Sequence, residues 1–199
     1  MKKISARKIL QTLYYIQQHA PVSSKKYDIM YILKIVFFAV RFHLRNYGTP
    51  FLNITFYAMR RGPVASEVMD IIQGKMPYNM NSAEIELLKE VENIGEYDYE
   101  IKKQDTDELP SSFLQSLDFA IDNFGEYDPF QLSEISHSYP EWKKHEEKLL
   151  TEKRVLMNYE DFFNNPDEMK LIPSDPFFEA DEEFLSVLRE DYLEHAISC

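Results

Sequence analysis

Between Tyr27 and Gly48 the chain is apolar on nearly every face that a helix would present. Ile29, Ile32, Leu33, Val36, Phe37, Val40 and Leu44 recur at helical spacing, while Ile35, Phe38 and Phe42 make the opposite side apolar too. A helix without a wet face must be buried nearly all round, so this stretch is the expected spine of the core. Ser24 reads as its N-cap and Gly48 as a left-handed C-terminal cap. Its most hydrophobic run, Ile29 to Val40, contains Lys34 and is too short for a bilayer, which takes about 20 residues. No membrane segment is expected. Phe51 to Met59, rich in aromatic and β-branched residues, reads as a strand. Gly62-Pro63 then reads as the start of a helix with Val64, Val68, Ile71 and Ile72 as its buried stripe, because Pro at a first helical position loses no hydrogen bond.

The remaining segments arrange themselves around that unit. Ile4 to His19 reads as an opening helix, and Asn81 with Glu84 as a capping box for a helix over Ser82 to Glu90. Tyr97 to Lys102 alternates and is the expected antiparallel partner of the Phe51 strand. Phe113 to Phe124 marks a helix ending at Gly125. Asp128-Pro129 with Gln131 opens another, which stops near His137 before a short helix at Pro140 and Trp142. Tyr159 to Phe163 and Glu182 to His195 read as helical. The expected fold is mostly α with a small antiparallel β-sheet (α+β), a helical core around one long buried helix plus a β-hairpin. Residues 1–150 form the domain, and residues 151–199 an acidic helical extension packed on it.

Charge is distributed unevenly. The first 62 residues hold eleven Lys or Arg and one acid, Asp28; the rest holds eleven bases and 33 acids. The asymmetry has two readings: a basic nucleic-acid face with an acidic tail, or two halves that pair across their contact. The second is favoured because the bases are spread out, never denser than a doublet. The single cysteine, Cys199, permits no internal disulfide and fits a reducing cytoplasm, and no signal peptide is read at the N-terminus.

Catalytic patterns are sparse. The five glycines are scattered singly, so no phosphate-cradling loop exists, and GxSxG, HExxH and CxxC are all missing. No cofactor, metal or catalytic residue is expected, and the protein is read as a non-enzyme. His137 near Glu134 is the strongest catalytic candidate, set against a structural role at the end of its helix. His43 reads as a satisfied core histidine and Trp142 as a core anchor. Arg41, Arg45, Arg60 and Arg61 are expected to share a surface with Tyr47 and Tyr57. Arg mixed with Tyr is the chemistry of protein-interface hot spots, and the same arginines could contact phosphates. Internal pairing with the acidic half is the competing reading.

Two groups of residues carry a resemblance. The first runs Arg41-x-His43-Leu44-x-x-Tyr47-Gly48-x-Pro50, then Tyr57-x-Ala58-Met59-x-x-Gly62-Pro63-Val64-x-Ser66-Glu67. The second is Leu132-Ser133-Glu134-Ile135-Ser136-His137-x-x-Pro140-x-Trp142. Together they resemble the Panacea domain of SocA-like antitoxins and phage-associated relatives, with an echo at Tyr159 to Phe163. The resemblance implies a mostly α fold and an antitoxin that neutralises a cognate toxin by direct binding. One branch is similar to adaptors that deliver the toxin to a Clp-type protease. Gly48, Gly62, Pro63, His137, Pro140 and Trp142 are then structural motif residues. Homo-oligomerisation is a further expectation. No DNA-binding segment of the kind some relatives carry is read, so self-repression is not expected. The alternative function is a nucleic-acid-binding transcriptional regulator using the basic N-terminal third.

Overall fold

The computed structural model describes residues 5–21, 26–75, 82–166 and 180–197. The proposed cap Ser24 and the capping residue Asn81 lie outside them. Helix α1 (Ala6–His19) is capped by Ser5, whose hydroxyl accepts from the Lys8 amide. Helix α2 (Ile29–Tyr47) is the spine. Its N-cap is Asp28, one carboxylate oxygen of which accepts from the amides of Met30 and Tyr31. At its other end Gly48 adopts φ 67°, a left-handed conformation that Gly tolerates best, and returns its amide to Leu44 at 2.8 Å.

The segment after α2 differs from its sequence reading. The strand is only β1 (Phe56–Met59), and Gly62-Pro63 does not begin a helix. It begins β2 (Gly62–Ala65), which folds back on β1 with Met59 opposite Gly62 and Phe56 opposite Ala65. Arg60 and Arg61 form the turn. Gly62 leaves it at φ 91°, and Pro63 is tolerated because β2 is an edge strand, where a missing donor costs no ladder bond. Helix α3 (Ser66–Ile72) starts three residues after Pro63, the first helical position of the sequence reading, and Glu67 accepts from both the amide and the hydroxyl of Thr55 at 2.6 and 2.7 Å.

The Tyr97 strand is not the partner of β1 either. Helix α4 (Ser82–Leu87) and one 3₁₀ turn lead into β3 (Val91–Asn93), which pairs with β4 (Tyr99–Ile101) as a separate two-stranded ribbon. A partner a few residues away closes a smaller loop than a strand forty residues back. The ribbon docks on the start of α2, where the amide of Ile29 donates to Tyr97 O and that of Tyr99 to Tyr27 O.

Helix α5 (Ser111–Phe124) lies along the spine, with Phe124 stacked on Phe38 at 4.1 Å and Phe119 on Phe42 at 3.9 Å. Helix α6 (Pro129–His137) carries the full Asp128–Gln131 capping box, and α7 (Pro140–Lys143) follows. Beyond residue 150 the chain adds β5 (Val155–Leu156) to the free edge of β1 and a 3₁₀ turn over Tyr159–Phe163. Helix α8 (Glu182–Ile197) ends the described chain. The fold is α+β and mostly α, as the sequence implies.

Phe37 is the hub of the core. It is fully buried and meets Phe38, Phe56, Tyr139 and Phe162, each with ring centroids 5.4–5.9 Å away. Four elements therefore share one ring. Phe37→Ala is expected to cost about 3–5 kcal/mol in urea unfolding, the cost of a large buried cavity; a loss below about 1 kcal/mol would remove Phe37 from the centre of the core.

Candidate functional site

The β1–β2 turn is held by three side chains, each closing on a different backbone carbonyl. Trp142 Nε1 donates to Met59 O at 2.9 Å, Ser133 Oγ to Arg61 O at 2.8 Å, and Lys34 Nζ to Pro63 O at 2.8 Å. Gly62 sits inside this clamp: a Cβ there would collide with Ser136 Oγ and approach Lys34 Nζ to 2.8 Å. Trp142 in turn stacks on His137, centroids 3.7 Å apart. Gly62, Pro63, His137 and Trp142, from two stretches far apart in sequence, thus converge on one hairpin corner, and Pro140 starts the short helix that carries Trp142.

Among the described residues, His137 Nε2 is buried without a hydrogen-bond partner, and desolvation followed by the charge of Lys34 pushes the pKa of the ring down to about 4. At neutral pH it is an uncharged ring on an indole face. His43 is a satisfied core histidine: Nδ1 bonds Thr49 O at 2.8 Å and Nε2 meets Ser112 Oγ at 3.3 Å, while burial lowers its pKa.

The four arginines do not share a surface. Arg41 and Arg45 are 2% and 0% exposed. Arg41 bonds Glu141 at 2.8 Å and lies over the Tyr139 ring; Arg45 donates to Phe162 O, Asn164 O and Asn165 Oδ1. Their role is internal because a spine buried all round leaves its own polar residues nowhere to go but inward. Glu141 is equally buried, and desolvation raises its pKa against the pull of Arg41. Together with Arg7–Glu108 at 3.7 Å, this pair joins the basic part of the chain to the acidic part. Tyr47 is 42% exposed near Gln115, and Tyr57 lies under the Arg154 guanidinium, so neither adjoins the hairpin turn.

Arg60 and Arg61 do reach solvent, and they rim a groove that the sequence reading missed. It encloses about 1040 Å³ between the start of α2, the hairpin turn, α3 and the first turn of α6. Met30, Met59 and Met69 line it with Ile29, Leu33 and Val64; Phe130 and Tyr97, 64% and 59% exposed, form its lips. Arg61 lies over the Phe130 ring at 5.9 Å, and Arg60 donates to the carbonyls of Leu149 and Leu150. Lys34 is part of the lining yet only 1% exposed, and among the described residues it has no carboxylate partner. Desolvation pushes its pKa down to about 7. Its visible signal was one lysine inside an otherwise apolar helical run. Nothing in the sequence says that the methionines meet.

A family model described as "Antitoxin SocA-like, Panacea domain" matches residues 32–143, more than half of the chain. The chain belongs to the SocA-like Panacea family. The match takes in the spine, the hairpin and both motif groups, so the clamped corner is built wholly from Panacea-domain residues. No curated protein and no solved structure matches the chain. Among the described residues, no group of three His, Cys, Asp or Glu could hold a metal ion, and no helix is long and apolar enough to cross a membrane.

Lys34 sets a pH dependence with a definite sign. Its folded pKa of about 7 lies below the model-peptide value of 10.5, so in that window the unfolded chain holds the extra proton. Stability should rise with pH from 7 towards 10.5, by up to about 1.4 kcal/mol per unit from this group, with the full penalty present below pH 7. Urea titrations at pH 6, 7, 8 and 9 should show this climb, and Lys34→Met should be more stable than wild type at pH 6 by a margin that narrows steadily towards pH 9. A wild-type curve flat above pH 7 would mean that the ammonium is compensated where it lies.

Proposed function

We propose that the protein is the antitoxin of a toxin–antitoxin pair, silencing a cognate toxin in the cytoplasm by direct protein contact and without chemistry of its own. Membership of the SocA-like Panacea family carries this reading. The contact itself would cover the toxin's working surface, and delivery of the captured toxin to a Clp-type protease is a natural extension of the same contact. A homo-oligomer would present that surface more than once.

The hairpin corner supports the reading physically. A partner-binding surface benefits from rigid placement, because side chains ordered in advance lose less entropy on association. Three hydrogen bonds to successive stretches of the turn hold Arg60 and Arg61 beside an apolar groove. The nucleic-acid reading, by contrast, loses residues it needs. Lys34, Arg41 and Arg45 are buried and Arg7 lies beside Glu108, so three of the eleven bases of the first 62 residues are withdrawn from a phosphate-binding face and a fourth is engaged.

The test is growth on expression of the gene adjacent to this one, alone and together with this protein. The expected outcome is arrest by the neighbour, restored growth on co-expression, and co-purification of the two proteins that survives moderate salt. A harmless neighbour, or a toxic one that this protein neither rescues nor binds, would overturn the antitoxin reading. Binding to DNA that weakens steeply with salt, by a factor of ten or more between low and physiological ionic strength, would replace it with the regulator.

A further inference from the structure

The groove combines three properties that point to one kind of occupant. Its walls carry three methionines, whose unbranched, polarizable side chains re-pack around differently shaped apolar partners. Its charge is positive in a protein of net charge −12: Lys34, Arg60, Arg61 and Lys153 stand against Asp28 and Glu152, and the Asp28 carboxylate is already engaged by the amides of Met30 and Tyr31. Its floor holds an amine with one backbone carbonyl as acceptor and, among the described residues, no carboxylate partner. Apolar grooves of this size receive the apolar face of an amphipathic helix, read out by anchors one turn apart.

The geometry points to this groove as the docking site for an acidic amphipathic helix of the partner protein, its apolar face on Met30, Met59, Met69 and Phe130 and one of its carboxylates paired with Lys34. The inference rests on the antitoxin reading for the identity of the partner, which is then the toxin. Arg60 and Arg61 meet flanking acids at the rim, where exposed charges steer encounter and set salt dependence. The carboxylate that reaches Lys34 is desolvated, so that pair discriminates between partners: a helix without an acid there would leave a buried ammonium uncompensated. Affinity should fall as pH rises above 7, because pairing requires the ammonium. Of the other titratable groups at this site, His137 on α6 is neutral above about pH 4, and the hydrogen bond to Glu96, followed by its charge, raises the Tyr97 phenol above its ordinary value.

The experiment measures affinity of the full chain for the toxic neighbour with Met69→Glu, Arg61→Glu and Lys34→Met, and with Glu100→Lys on β4 as a control. Each variant is first checked for a cooperative urea transition at pH 8 with a midpoint no lower than that of wild type. Met69→Glu and Arg61→Glu should weaken binding at least tenfold, Lys34→Met should remove the pH dependence, and Glu100→Lys should do nothing. Growth rescue and affinity intact in all three groove variants would overturn the docking site while leaving the antitoxin standing. If no neighbour is toxic the antitoxin reading fails by itself, and the groove is judged with anilinonaphthalene sulfonate, an apolar anion. Native-state fluorescence enhancement lost in Met69→Glu and reduced in Lys34→Met sustains the groove as an acceptor of apolar anions; no enhancement overturns it.

Discussion

A helix buried on every side has no place to put a polar side chain except against another part of the same molecule. Helix α2 carries four such groups, Lys34, Arg41, His43 and Arg45, all under 5% exposed. Leaving any of them unsatisfied costs more than the hydrogen bond it would make. Each therefore draws in a segment distant in sequence. Lys34 takes the hairpin at Pro63, Arg41 takes α7 at Glu141, His43 takes the start of α5 at Ser112, and Arg45 takes the chain at Phe162 to Asn165. The apolar surface of the spine supplies the gain on folding, but its polar residues fix which segment lies where. That division explains why residues past 150, with little apolar periodicity of their own, are bound into the core.

The four groups are not equally satisfied, and the difference locates the site. Arg41 has a carboxylate and an aromatic face, and Arg45 has carbonyls and an amide oxygen. Both are compensated within the chain, so removing a partner would strand a buried charge and destabilise the core. Lys34 has a carbonyl, a neutral imidazole in its neighbourhood and an opening to the groove. Among the described residues its amine has a single hydrogen-bond acceptor, the Pro63 carbonyl, and no carboxylate partner. Below pH 7, where the ammonium carries its full desolvation penalty, methionine at this position should give the more stable fold.

Much of the frame was legible in the sequence because it is local. The all-round apolar run gave α2, Gly48 its left-handed end, and Asp128-Pro129 with Gln131 the start of α6; none of these needs a partner from elsewhere. Gly62-Pro63 misled for a physical reason. A Gly-Pro pair suits a helix start and an edge-strand corner equally well, and the choice is made by Trp142, Ser133 and Lys34, which close on the turn from three other elements. Strand partners failed likewise: Tyr99 pairs with Asn93 and Tyr57 with Leu156, and alternation within a strand carries no information about its neighbour. The arginines misled because charge was equated with exposure. Arg41 and Arg45 sit at spine positions whose burial the surrounding apolar residues had already implied.

The groove is not legible in the sequence because its residues come from six segments and share no spacing. Met30 is on the spine, Met59 at the end of β1, Met69 on α3, Phe130 on α6 and Tyr97 in the β3–β4 turn. Most of this lining falls within the region that matches the Panacea domain, whereas the Thr151–Lys153 lip lies beyond it. The clamped corner and the groove are therefore two products of one arrangement. The bonds that Lys34, Ser133 and Trp142 make to the turn fix the backbone from which Met59, Arg60 and Arg61 project to the groove. Under the proposed docking, rigid carbonyls beneath and adaptable methionines above would let a fixed frame accept an apolar helix face, with the charges at floor and rim selecting among partners.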